Sequence, residues 1–200
     1  MNDTAMRVLF KLVFAGVFLA ASAGARAGLQ EGIDAYNKGD HQAALANFEP
    51  LAVNGNAAAQ LYLGRIHVQG IGSKPDYDKA ISWTRKAAER KNVEAQYFLG
   101  FLYYYGLGAP QDYKEAMSWY RKAAEQGNTK AQASLGSMFA NGQGAPQDLV
   151  RAYKWFKLAA ASGEADALVK LKATEAQMTP QQVKEAEAGA LGQKGLKKRE

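Results

Sequence analysis

Two histidines, His41 and His67, and no cysteine are what this chain of 200 residues offers for transition-metal or thiol chemistry. A zinc site needs three or four clustered Cys, His or acidic ligands, and neither histidine has neighbours spaced for one. A serine nucleophile needs a partner at fixed spacing, and there is no Ser-x-x-Lys pair and no Gly-x-Ser-x-Gly elbow. Gly-x-Gly occurs three times, at 70–72, 106–108 and 142–144. None belongs to a phosphate-binding loop that ends in Gly-Lys, and each falls between two helical patterns rather than after a strand. They read as turns. Asp76, Asp112 and Asp148 recur just ahead of apolar-periodic stretches, where a carboxylate accepts from free N–H groups as an N-cap. The residue types able to do chemistry are thus spent on starting and stopping helices. No enzymatic activity, metal or cofactor is expected.

The elements that these residues punctuate repeat. "AQYFLGFLYYYGLGAPQDYKEAMSWYRKAAEQGN" begins at Ala95, and "AQASLGSMFANGQGAPQDLVRAYKWFKLAAASGE" begins 36 residues later, at Ala131. The same shift backwards gives "AQLYLGRIHVQGIGSKPDYDKAISWTRKAAERKN" from Ala59. Leu63, Leu99 and Leu135 stay in register, as do Gly64, Gly100 and Gly136, and Trp83, Trp119 and Trp155. A shorter unit precedes them, with Asp40 and Ala44 one period ahead of Asp76 and Ala80. Each unit divides into two helices. In the third, the first helix runs over 95–105, Gly106 and Gly108 stop it, Asp112 caps the second helix, and Gly127 closes that one. Small residues at Gly100, Ala116, Ala123 and Ala124 allow close helix approach, and the tryptophans are expected to wedge between repeats. A two-helix unit cannot bury its apolar face alone, so the units must stack.

These residues resemble the Sel-1-like repeat family, a subfamily of tetratricopeptide-type α-solenoids. "AQYFLG", "YGLGAPQDYKEAMSWYRKAAEQG" and their copies carry the likeness, over roughly residues 29–190. The resemblance implies an all-α fold: a right-handed α-α superhelix of about four two-helix repeats plus a C-terminal capping helix. The divisions are a short tetratricopeptide-like repeat at 28–56, Sel-1-like repeats at 57–92, 93–128 and 129–164, and capping helices at 165–190. The resemblance further implies a concave face lined by first helices, and a scaffold or adaptor that binds a partner protein or peptide there. Some exported, cysteine-rich relatives are described as β-lactamases or penicillin binders. A chain without cysteine or nucleophile motif matches that alternative poorly.

Comparing the copies separates core from surface. Positions 63, 99 and 135 stay leucine, and 67, 103 and 139 stay ring-shaped (His, Tyr, Phe), which marks them as packed. Positions 62, 98 and 134 are Tyr, Phe and Ser; 65, 101 and 137 are Arg, Phe and Ser; 69, 105 and 141 are Gln, Tyr and Asn. A site that accepts Arg in one copy and Ser in another is poor core, and the spacing i, i+3, i+7 puts all three on one helical face. Phe98, Phe101 and Tyr105 therefore form a candidate aromatic patch, flanked by Tyr62 and Arg65 on one side and by Ser134, Ser137 and Asn141 on the other. Aromatic clusters of this kind anchor peptides or helices. The alternative is that the rings pack against the adjacent repeat.

The ends of the chain read differently. Arg7 and Lys11 precede an apolar run from Leu12 to Ala21, and Ala25-Arg26-Ala27 follows. That is the pattern of a cleaved secretory signal over 1–27, too short to span a bilayer, which takes about twenty residues. A periplasmic or secreted location is expected, with no stable membrane anchor after cleavage. The net charge of +6 is concentrated at the ends, in Arg7, Lys11 and Arg26 and in Lys194, Lys197, Lys198 and Arg199. The body is close to neutral, without the basic face that nucleic-acid binding requires. The segment 191–200 reads as a disordered basic tail, open to weak contact with an anionic surface. A peptidoglycan or membrane-surface binder is the third functional reading.

Overall fold

A computed structural model describes residues 28–70 and 74–196. Among them are ten helices and no strand: α1 over residues 28–37, α2 His41–Val53, α3 Ala57–Gln69, α4 Tyr77–Glu89, α5 Val93–Tyr105, α6 Tyr113–Glu125, α7 Thr129–Asn141, α8 Leu149–Ala161, α9 Ala165–Glu175 and α10 Pro180–Leu196. The expected signal at 1–27 lies outside the described residues, as do 197–200 and 71–73, which include Gly72. Helix α10 continues to Leu196, so the capping helix extends into the stretch expected to be disordered.

The chain forms two compact units, one up to Pro75 and one from Asp76. In the first, Gly32 of α1 lies against Phe48 of α2, and a Cβ at Gly32 would stand 2.6 Å from the Phe48 ring. In the second, each helix packs on the next, α4 on α5 through to α8 on α9, and α10 folds back on α8. The core of this unit is built from Ala116, Met117, Tyr120, Leu135, Phe139 and Phe156 with small residues between them. This is the all-α, helix-pair architecture that the sequence led us to expect.

The helices start and stop where the chemistry requires. Asp40, Asp76, Asp112 and Asp148 accept from the N–H groups of Ala43, Lys79, Glu115 and Arg151. Asn56, Asn92 and Asn128 do the same for the first helices. Gly70, Gly106 and Gly142 end α3, α5 and α7 in the left-handed conformation, with φ of 64°, 69° and 67°. Gly108 and Gly144 do more than turn. A Cβ on Gly108 would meet the Tyr77 carbonyl oxygen at 2.1 Å, and one on Gly144 would meet that of Tyr113 at 2.5 Å. Each loop thus rests on the start of the preceding second helix.

Two features escaped the sequence reading. Gln60, Gln96 and Gln132 are buried, and their side-chain amides donate to the carbonyls of Ala52, Ala88 and Ala124 at 2.9, 3.2 and 3.1 Å. Each first helix so adds a second donor to a carbonyl at the end of the helix before it, one that already accepts from the backbone N–H of Gly55, Lys91 or Gly127. The tryptophans, in turn, are not the wedges. Trp83, Trp119 and Trp155 are only half-buried, and Lys86 and Lys122 lie over the first two rings at 4.1 and 3.6 Å. The fully enclosed ring is the next residue along, and it packs on a glycine of its own repeat. Tyr120 and Phe156 are 3% and 2% exposed, and a Cβ on Gly100 or Gly136 would stand 2.6 Å from their rings. His67 and Tyr103, expected to be packed, are half-buried, and Arg85 donates to the Tyr103 hydroxyl. Only Phe139 of that series is fully enclosed.

Tyr120→Ala should therefore cost about 3–5 kcal/mol of stability as a core ring truncation, whereas Trp119→Ala should cost about 1–2 kcal/mol, near the mean for point changes. Urea unfolding followed by helical circular dichroism measures both. A larger loss for Trp119→Ala than for Tyr120→Ala would reverse the assignment.

Candidate functional site

Helix α5 carries six rings between Tyr97 and Tyr105. Leu99 and Leu102 take its buried side, with no exposed surface, which turns the opposite arc outward. Tyr97, Phe101, Tyr104 and Tyr105, spaced i, i+4, i+7 and i+8, fall on that arc and line a groove of about 300 Å³. Helix α6 adds Tyr120 from below, where it is held by its packing on Gly100. Helix α7 supplies Ala133, Ser134 and Ser137, and α9 supplies Lys170. The rings pack in two groups. The Phe101 and Tyr105 centroids are 4.6 Å apart, Tyr104 and Tyr105 4.9 Å, and Tyr97 and Tyr120 5.6 Å. Edge and tilted contacts at these distances hold rings in place beyond simple burial.

Polar groups fix the borders. The Tyr104 hydroxyl donates to Gln143 Oε1 at 3.1 Å, tying α5 to the loop after α7. Ser137 donates to the Ala133 carbonyl at 3.1 Å, and Lys170 Nζ reaches Ser137 Oγ at 3.5 Å. Burial raises the Tyr120 phenol well above its ordinary value, helped by the neighbouring Tyr97 and Tyr105 and opposed by the Ser134 hydroxyl. Burial, then Glu94, raises Tyr97. The groove thus presents ring faces, neutral hydroxyls and one ammonium group, and no carboxylate lines it. It has no paired nucleophile and base. Among the described residues no three His, Cys, Asp or Glu side chains gather as metal ligands, and no helix is long and apolar enough to cross a membrane.

The structure distributes the expected site residues unevenly. Phe101, Tyr105, Ser134 and Ser137 meet in the groove. Tyr105 is 57% exposed. Phe98 stacks on Phe101 at 6.0 Å but does not line the groove. Asn141 is exposed at the end of α7. Tyr62 and Arg65 belong to the first unit. There Tyr62 packs between Phe48 at 4.8 Å and Tyr36 at 5.2 Å, with Arg65 over its ring at 5.6 Å. Tyr62 is thus half-enclosed by rings rather than free. The sequence reading missed Tyr97, Tyr104, Tyr120 and Lys170. Lys170 had a signal: it stands one period after Ser134, in the series Tyr62, Phe98, Ser134, Lys170. Tyr97 and Tyr104 had one too, since their positions drift from Leu61 to Ala133 and from Val68 to Ala140.

Comparison with known proteins agrees with this geometry. The Sel1 repeat model matches residues 57–92, 93–128 and 129–164, more than half of the chain. The chain belongs to the Sel1 repeat family. Among solved structures it is similar to a Sel1 repeat protein from Oxalobacter formigenes, at 32% identity and TM-score 0.66, over 70% of this chain and 58% of that one. It is also similar to a protective antigen with an SLR fold present in uropathogenic Escherichia coli strains, at 26% identity and TM-score 0.58, over 86% of this chain and 45% of the antigen. The chain therefore spans about half the length of these relatives. None of the curated proteins matches it. Sel1 repeats generally act as protein–protein interaction scaffolds, and their fold is typically non-enzymatic.

The raised Tyr120 phenol has a consequence for this Sel1 repeat array. A folded-state value above the ordinary 10.0 stabilises the fold fully below that pH. That stabilisation is lost as pH rises past it, because the unfolded chain then releases the proton first. Stability should fall above about pH 10, and Tyr120→Phe should flatten the fall. Urea midpoints at stepped alkaline pH, wild type against variant, test this; parallel curves would count against it.

Proposed function

We propose that the chain is an exported, non-enzymatic adaptor that holds a segment of a partner protein in the groove between α5, α7 and α9. The observation that carries this reading is the convergence of five rings on one open groove, with Tyr105 more than half exposed at its edge. A monomeric fold gains nothing from leaving such a ring in water, whereas rigid aromatic side chains are the usual anchors of an interface. The groove's volume lies at the lower end of the range for bound groups. It suits one or two anchoring side chains of a longer contact. The leader pattern over 1–27 supports export, and the near-neutral body argues against a nucleic-acid partner. The absence of a nucleophile–base pair among the groove residues supports a binding role over a hydrolytic one.

Crosslinking tests the reading directly. A photoreactive residue in place of Tyr105 should capture a protein partner in native cells, while one at Asp78, on the exposed side of α4, should not. The double change Phe101→Ala, Tyr105→Ala should keep the helical spectrum and weaken binding to the captured partner by about 10–30-fold, the loss of one or two anchors. Equal capture from both positions, or undiminished binding by the double variant, would remove the groove from the interaction.

A further inference from the structure

The groove has a chemical polarity along its length. One end, on α5, is made of rings. The other is made of Ser134 and Ser137 on α7 and Lys170 on α9. The Lys170 ammonium is exposed, touches only the Ser137 hydroxyl at 3.5 Å, and pairs with no carboxylate among the described residues. Lys79, Arg151 and Lys157 of this unit pair with Asp76, Asp148 and Glu187; Lys170, like Lys130 and Lys154, is a cation without such a pair among the described residues, and it is the one that lines the groove. An exposed cation, with no acidic group among the residues that line the groove, is complementary to an anion. The geometry points to an acidic peptide as the ligand, with a bulky apolar or aromatic side chain seated among Phe101, Tyr104 and Tyr105 and an Asp or Glu carboxylate one or two residues away against Lys170, Ser134 and Ser137. This rests on the groove reading proposed above. It excludes the chain's own basic end as the occupant, since Lys194, Lys197, Lys198 and Arg199 would face Lys170 with like charge.

The test selects ligands without presupposing one. Random heptapeptides displayed on phage are panned against the full chain, and the most enriched peptide is synthesised and titrated by fluorescence anisotropy. The expected peptides carry Asp or Glu beside an aromatic or large aliphatic residue. Lys170→Glu, a surface change that leaves the helical spectrum intact, should weaken the synthetic peptide by about tenfold. Replacing the peptide's acid by its amide should weaken wild type by a similar factor and strengthen binding to Lys170→Glu, where the acid meets a like charge. Peptides that need Phe101 and Tyr105 but show no acidic preference, and bind Lys170→Glu as well as wild type, would overturn this inference while leaving the groove as a binding site. Peptides that bind the Phe101→Ala, Tyr105→Ala variant as well as wild type would overturn the groove reading itself, as would the failure to enrich any peptide.

Discussion

A glycine in the middle of a first helix, pressed against a ring from the second helix of the same repeat, is the contact on which the fold turns. It occurs as Gly32 with Phe48, Gly100 with Tyr120, and Gly136 with Phe156, each time with space for no Cβ. Glycine costs a helix interior about 1 kcal/mol relative to alanine. Enclosing an aromatic ring returns about 1.5–3 kcal/mol, so the pair is favourable only because the ring is fully covered. The contact also sets where the ring ends up. Tyr120 is drawn under α5, and its far edge becomes the base of the groove. Packing and site are one arrangement there.

Polar closures pass the order from one repeat to the next. The buried glutamines of α5 and α7 take up carbonyls at the ends of α4 and α6, and Asn128 donates to Glu94 of the preceding first helix at 2.8 Å. The Ala88 and Ala124 carbonyls already accept from the N–H groups of Lys91 and Gly127, so each glutamine adds a second bond across the joint, worth about 0.5–1.5 kcal/mol, and each helix end is held more firmly when its successor is in place. The device stops at α9. Glu164 stands where the capping asparagine would be and makes no side-chain cap. Leu168 stands where the buried glutamine would be and is half exposed. Helix α10 then turns back on α8, begun by a reciprocal cap between Thr179 and Gln182. The repeat pattern is thus interrupted at α9, which lacks both groups.

Most of the helix scheme was legible in the sequence because its signals are local. Asp112 caps, Gly106 stops, and Leu99 recurs for reasons that need no knowledge of the neighbours. The tryptophans misled because strict recurrence resembles burial. Trp119 and Tyr120 are adjacent, only about 100° apart around the helix, and both fall near the edge of the apolar arc. Which of them meets Gly100 depends on how the two helices are rotated, and that is a property of the pair. Drift in residue type also has two sources. At 98, 101 and 105 it accompanies exposed or half-exposed side chains. At 84, 120 and 156 it gives Thr, Tyr and Phe, all buried, so there the drift records different cavity sizes.

The groove exists because the repeats differ. Their shared register holds backbone and core constant, so a change at one face position alters the surface and little else. At position 101 and its copy 137 the chain places Phe and then Ser; at 98, 134 and 170 it places Phe, Ser and Lys. Read across α5, α7 and α9, the face passes from ring to hydroxyl to ammonium. A homogeneous apolar groove would accept a hydrophobic segment in either direction. This gradient does not: reversing a ligand would put its apolar group against Lys170 and its charge against the rings, where desolvating a carboxylate without a partner is costly. For the acidic peptide proposed above, the gradient would fix the direction of binding as well as the composition, and it comes from two adjacent repeats and the helix that follows them.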